Sequence, residues 1–194
     1  VSGAPAVFVD RDGTLIRELE QPPRRASDVE FVPGAPEALC TLGRAGFRIV
    51  MITNQSAFAR GWLRFEEYVA VQRTIDAELA RVGTRLDAVY FCPHHPSAGA
   101  APYRRACTCR KPGSGLLELA ARELGLDLAR SWMVGDALRD LDAGAGVGVR
   151  GILVATGKGA REAAKMNDAQ RARSTLCADL ADAARRVLAS AEKS

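Results

Sequence analysis

Short apolar runs recur along the chain, separated by longer segments in which apolar residues fall three and four apart, a pattern that predicts strands and helices in turn. The strand-like runs are residues 6–9, 47–52, 88–91, 131–134 and 151–154. Between them, Pro33-Gly34 opens a helix over 35–45 that stops at Gly46. Phe65, Tyr68, Ile75, Leu79 and Val82 mark one face of a long helix ended by Gly83. Residues 116–124 read as helical up to Gly125, and 178–188 as a closing helix. The segment 18–30, with Pro22-Pro23-Arg24-Arg25 at its centre, is too polar and proline-broken to be an element and is predicted to loop over a site. Strands alternating with helices imply an α/β fold, a parallel sheet with helices on both faces, whose ligands sit beyond the strands' carboxyl ends.

Composition narrows the class. A chain of 194 residues, 47% apolar, is sized for one domain over 1–194 and can bury one core. No run of eighteen apolar residues exists, and the N-terminus lacks the basic and apolar stretches of a secretory signal. The expectation is therefore a soluble, cytoplasmic protein without a membrane partner. The net charge of +4 comes mainly from arginines scattered among acids, lysine is scarce, and no basic helix appears, so no nucleic-acid partner is expected. Nothing argues for more than a monomer.

The chemistry begins where the first strand ends, at Asp10-Arg11-Asp12-Gly13-Thr14. In extended chain, residues i and i+2 share a face, so Asp10 and Asp12 can approach one reacting centre while Arg11 points away. A hairpin turn at Asp-Gly has no alternating second strand to serve, and a calcium loop of the EF-hand type would need glycine two residues later. The sharper reading is a carboxylate nucleophile with a second carboxyl group as proton donor, held around a hard cation. The second strand ends in Thr53-Asn54-Gln55-Ser56, hydroxyl and amide groups suited to phosphate oxygens, with Arg60 just beyond at the rim. Arg110 and Lys111 supply a bidentate fork and a point charge for a phosphate ester. The fourth strand delivers Asp136, a third carboxylate. Asp10, Asp12 and Asp136, with room for water and substrate oxygens, suit octahedral Mg2+.

Three of the five cysteines crowd into residues 92–109. Cys92-Pro93-His94-His95 and Cys107-Thr108-Cys109 offer two pairs of soft ligands joined by a loop, the donor set of a closed tetrahedral Zn2+ site. Such a shell leaves no open position for water, so the metal is read as structural. Spacing alone does not choose between His94 and His95.

With these motifs in order, the chain resembles the haloacid dehalogenase (HAD) superfamily of phosphatases, whose first motif is Asp-x-Asp-Gly-Thr after a strand. Thr53 matches the second motif, Lys111 the third and Asp136 the fourth. The Cys-x-His loop closing in Cys-x-Cys-Arg-Lys-Pro narrows the likeness to the group of heptose-bisphosphate phosphatases and the related histidinol-phosphate phosphatases. The resemblance implies a Rossmann-like HAD fold with an inserted zinc loop and no large cap domain. It also implies a small phosphorylated sugar as substrate and an aspartyl-phosphate intermediate on Asp10, with Asp12 as acid and base. Mg2+ would be held by Asp10, Asp136 and the main-chain carbonyl of Asp12, and Zn2+ by Cys92, His94, Cys107 and Cys109. Thr53 and Lys111 would hold the phosphoryl oxygens, and Arg110 would recognise the substrate. Heptose-group members commonly carry lysine where this chain has Ala137, and Arg24 or Arg25 is the expected replacement for that cation. The class outside enzymes is a zinc-stabilised binding module with a degenerate site.

Overall fold

The computed structural model describes residues 3–191. Six parallel strands form one sheet: β1 (Ala6–Val9), β2 (Arg48–Asn54), β3 (Ala88–Cys92), β4 (Trp132–Gly135), β5 (Arg150–Val154) and β6 (Ser174–Cys177). Their order is β3-β2-β1-β4-β5-β6. The chain leaves β1 on one side to make β2 and β3, then returns to its other side for β4, so the order reverses at β1. The carboxyl end of β1 is therefore the crevice where an open α/β sheet places its ligand. All four residues of β1 are buried, as a strand covered on both faces requires.

Among the described residues seven α-helices accompany the sheet: α1 (Ala35–Arg44), α2 (Phe65–Arg81), α3 (Gly115–Leu124), α4 (Leu138–Ala145), α5 (Gly159–Ala163), α6 (Asp168–Arg173) and α7 (Leu180–Ala191). One face of the sheet packs Val7, Val9, Ile49 and Met51 against Leu39 and Leu42 of α1, Ile75 and Leu79 of α2 and Val187 of α7. The other buries Phe8, Val50, Ile52 and Met133 under Leu117 and Ala120 of α3 and Ala143 of α4. Alternate residues of one strand thus serve opposite layers. None of the described helices is long and apolar enough to cross a membrane.

The predicted strands and longer helices are present, with three corrections. β6 and the helices α4, α5 and α6 were not predicted. β6 is four residues with only its last buried, so it carries no apolar run to detect. Phe65, assigned to the buried face of α2, is 59% exposed at its first turn, and the stripe that packs inward is Tyr68, Val71, Ile75 and Leu79. The closing helix runs Leu180–Ala191, two residues later than predicted at its start. Residues 18–30 form a loop with one short helical turn at Ala26–Asp28, as predicted.

Candidate active site

Four strand ends supply the site. Asp10 follows β1, and its N–H donates to the Val134 carbonyl, 3.0 Å, which ties the start of the motif to β4. Thr53 and Asn54 close β2, Asp136 follows β4, and Thr156 to Lys158 follow β5. Beside them lies a cleft of about 300 Å³ lined by Asp10, Asp12, Thr53, Gln55, Arg110, Arg139 and Lys158, among others. Leu19 to Pro23, from the loop after the first motif, form its outer wall.

Asp136 is wholly buried at the centre of this arrangement. One carboxylate oxygen accepts the Lys158 N–H, 2.8 Å, while the other, Oδ1, has no partner. Burial, then repulsion from Asp10, raises its pKa to about 7. Backbone from two glycines crowds the same carboxylate: Gly13 and Gly157 have φ of +81° and +57°, and a Cβ on either would stand 2.2 or 2.3 Å from Asp136 Oδ2. Only glycine allows both the positive φ and this approach.

A third acid joins Asp10 and Asp136 in a cluster that could hold a cation. Carboxylate oxygens of Asp10, Asp136 and Asp140 lie within 4.8 Å of one another. Asp140 was not singled out in the sequence, although it sits one helical turn beyond Asp136. It has two tasks: its Oδ2 accepts the Ala137 N–H, 3.0 Å, at the start of α4, and its Oδ1 lies 2.7 Å from Lys111 Nζ. Asp12, expected to bring its carboxylate to the same centre, turns it elsewhere. Arg11 Nη2 donates to Asp12 Oδ1, 3.0 Å, and Gln55 Nε2 to Asp12 Oδ2, 3.0 Å. Arg11 does not point away, as extended geometry suggested. It is 1% exposed, grips Asp12 and Gln55, and lies over the Tyr68 ring. The chain has left the strand by then, so period-two alternation no longer applies.

Lys111 is a buried ammonium with three oxygens around it: Asp10 Oδ1 at 2.9 Å, Asp140 Oδ1 at 2.7 Å and the Ile52 carbonyl, to which it donates, at 2.7 Å. Burial disfavours charge on both Asp10 and Lys111. Even so, Lys111 and then Arg139 hold the Asp10 carboxyl below the usual carboxylate range, and Asp10 and Asp140 hold the lysine above its own. Burial raises the pKa of Asp140, against the pull of Lys111. A buried carboxylate fixed in its ionised form is what a nucleophile at neutral pH requires.

The predicted phosphate donors separate into two kinds. The Thr53 hydroxyl accepts from Gln55 Nε2, 2.9 Å, so its own hydrogen remains available for an incoming oxygen. Ser56 lines the cleft. Asn54 is used internally: its side chain donates to the Lys111 carbonyl and accepts the Lys111 N–H, both 3.0 Å, which fixes Lys111 beneath the site. Arg60 and Arg110 edge the cleft from the side of the zinc loop, Arg110 donating to the His94 carbonyl, 3.2 Å. Arg24 and Arg25, the expected replacement cations, are exposed and line nothing there. Their backbone N–H groups donate to Asp28 in the short turn of the loop.

The Cys and His side chains converge as the spacing predicted. Cys92 Sγ lies 3.3 Å from Cys109 Sγ and 3.7 Å from Cys107 Sγ, and His94 Nδ1 lies 3.3 Å from Cys109 Sγ. Bonds of roughly 2.3 Å from zinc to sulfur set tetrahedral edges of roughly 3.8 Å, so these spacings fit a zinc-binding site. Burial pushes the Cys92 and Cys109 thiols up, whereas hydrogen bonds from its neighbours hold Cys107 below the usual thiol range despite burial. Of the two histidines, His94 faces the cysteines, whereas His95 Nδ1 accepts the Ala98 N–H, 2.8 Å, and its Nε2 faces Arg60, 3.1 Å.

Comparison with known proteins agrees with this geometry. Residues 108–183 match the family model described as HAD-hydrolase-like. The chain is 41% identical over 164 residues to a D-glycero-beta-D-manno-heptose-1,7-bisphosphate 7-phosphatase of Photorhabdus laumondii, a match covering 80% of this chain and 83% of the relative. With the enzyme of the same name from Escherichia coli the identity is 39%, over 79% of this chain and 81% of the relative. The structure resembles that of the D,D-heptose 1,7-bisphosphate phosphatase of B. bronchiseptica, complexed with magnesium and phosphate. The TM-score is 0.85 and the identity 32%, over 96% of this chain and 99% of that one.

Proposed function

Because the chain belongs to the HAD phosphatase family of the heptose-1,7-bisphosphate 7-phosphatases, we propose that it hydrolyses the 7-phosphate of D-glycero-beta-D-manno-heptose 1,7-bisphosphate. We read it as one phosphatase domain acting in the cytoplasm. The observation that carries the reading is Asp10, buried, held ionised by Lys111 and open to a cleft whose far edge carries Arg60 and Arg110. A bisphosphate needs one reactive end and one cationic rim, and this cleft offers both.

Asp10 attacks the phosphorus in line with the leaving alkoxide, and the P–O bond to the sugar breaks as the aspartyl bond forms. Asp12 gives its proton to the departing oxygen and then takes one from the water that hydrolyses the aspartyl phosphate. Thr53 donates to a phosphoryl oxygen, Lys111 keeps Asp10 ionised and aimed, and Arg110 holds the substrate. Asp10, Asp136 and the main-chain carbonyl of Asp12 would hold Mg2+. The unpartnered Oδ1 of Asp136 and its raised pKa fit such a cation. Bound there, Mg2+ would offset charge on the phosphoryl oxygens. Zn2+ held by Cys92, His94, Cys107 and Cys109 would pin the loop that delivers Arg110 and Lys111.

Phosphate release in Mg2+ is the test, comparing both anomers of heptose 1,7-bisphosphate with histidinol phosphate and small sugar monophosphates. A kcat/KM at least tenfold higher for the beta bisphosphate is expected. Equal rates across the panel would remove the substrate assignment and leave only a general phosphatase.

A further inference from the structure

A phosphoryl group entering this cleft brings charge that must be met by donors near Asp10, and most cations there are already committed. Lys111 is fully enclosed and surrounded by one oxygen for each of its three hydrogens. It does not line the cleft. Arg11 is fixed by Asp12 and Gln55, with its Nη1 unpartnered, and Lys158 is paired with Glu18. Arg60 is held by His95 and Trp62, and Arg110 by the His94 carbonyl.

Arg139 alone among the described cleft cations makes no hydrogen bond or ion pair, and its Nε is buried without a partner. It stands in the first turn of α4, one residue before Asp140 and three after Asp136, on the side of the cleft that holds the acids rather than the zinc loop. Burial works against its charge, but Asp140, Asp10, Asp136 and Glu18 keep it cationic. A half-buried planar fork of unspent N–H donors, near enough to the nucleophile Asp10 to act on its charge, is built for the non-bridging oxygens of a phosphate.

We propose that Arg139 contacts the phosphoryl group being transferred to Asp10, as a donor additional to Thr53 and Lys111. The assignment rests on the phosphatase reading and says which end of the substrate Arg139 touches.

The test uses Arg139→Gln and Arg139→Lys in the full chain, with phenyl phosphate as a substrate lacking a second phosphate. Arg139→Gln is expected to raise KM for phenyl phosphate and for the bisphosphate alike, by about ten- to a hundredfold. Calorimetry should show inorganic phosphate binding weakened by a similar factor in the presence of Mg2+, with Arg139→Lys recovering part of it. Mg2+ binding, measured alone, should be unchanged or tighter, since a cation beside its ligands has gone. Weaker Mg2+ binding would instead mean that Arg139 only arranges the acids, and would overturn the proposal. A KM change confined to the bisphosphate would overturn it too, placing Arg139 at the distal phosphate. Phosphate binding needs no turnover. If the wild-type chain hydrolysed no ester, the phosphatase reading would fail while the calorimetric comparison still decided the role of Arg139.

Discussion

The Asp140 carboxylate lies 2.7 Å from the Lys111 ammonium, which at the same time stands 2.9 Å from Asp10. One buried cation thus serves two buried acids, and removing it leaves both uncompensated. Lys111→Met is expected to lower the unfolding free energy at pH 7 by about 3–5 kcal/mol, the usual cost of breaking a buried pair. In the variant both acids are driven toward their protonated forms, so the folded state binds more protons than the unfolded chain and stability recovers as pH falls. Urea titrations at several pH values check both the size and the sign.

Asp10→Asn keeps the volume of the nucleophile and removes its charge. Turnover is expected to fall by more than about a thousandfold, while phosphate still binds. Acid quenching of wild-type enzyme during turnover should trap one phosphoryl group per chain on Asp10, and none in the variant. Activity close to wild type would show that another group attacks phosphorus.

Asp136 ties metal binding to pH. Its pKa is about 7 in the folded chain against 3.8 in an unfolded one. Between those values the native state holds a proton that the unfolded chain has released. The metal-free protein therefore loses stability as pH rises through this window, by up to about 1.4 kcal/mol per unit. Magnesium must displace that proton, so its apparent affinity is expected to fall about tenfold for each pH unit below 7. Thermal melts with and without Mg2+ at pH 5.5 and 7.5 check this: the metal should raise Tm more at the higher pH.

Asp10, Thr53 and Asp136 were legible because each follows a buried strand, and an apolar run followed by acids, hydroxyls or amides is a strong local signal; Lys111 was legible from its place directly after the cysteine pair. Asp10 and Lys111 lie in contact, and Cys92, His94, Cys107 and Cys109 come together in one cluster. What the sequence could not say was which neighbours each side chain would take. Arg11 sits among acids and could have faced solvent, and Asn54 reads as a phosphate donor until its amide is found on the Lys111 backbone. Asp140 was hidden because its role depends on α4, an eight-residue helix with too little apolar pattern to announce itself. β6 escaped for the same physical reason. It is a four-residue edge strand held by pairing with β5 rather than by an apolar run of its own.

The two histidines of the zinc loop make opposite predictions. His94→Ala or Cys107→Ser removes a ligand whose donor atom sits within the cluster, and zinc content should fall well below one ion per chain. Because Arg110 and Lys111 follow Cys109 directly, KM should rise as well. His95→Ala should keep its zinc, since that ring faces Arg60 and the Ala98 N–H instead. Metal analysis of the purified variants decides between them.

Arg11 acts through Asp12. Its Nε and Nη2 both reach the Asp12 carboxylate, and Gln55 holds the other side, so the acid's direction is set by a planar fork. A lysine cannot reproduce two parallel donors. Arg11→Lys should therefore slow the step that needs a proton delivered to the leaving oxygen, by about ten- to a hundredfold for an alkyl phosphate. p-Nitrophenol leaves without that proton, so phosphorylation of Asp10 by p-nitrophenyl phosphate should slow by less than about threefold. Both rates must be read from the pre-steady-state burst, because hydrolysis of the aspartyl phosphate needs Asp12 as a base whatever the substrate. An equal loss with both esters would mean that Arg11 supports the fold of the cleft and not the aim of its acid.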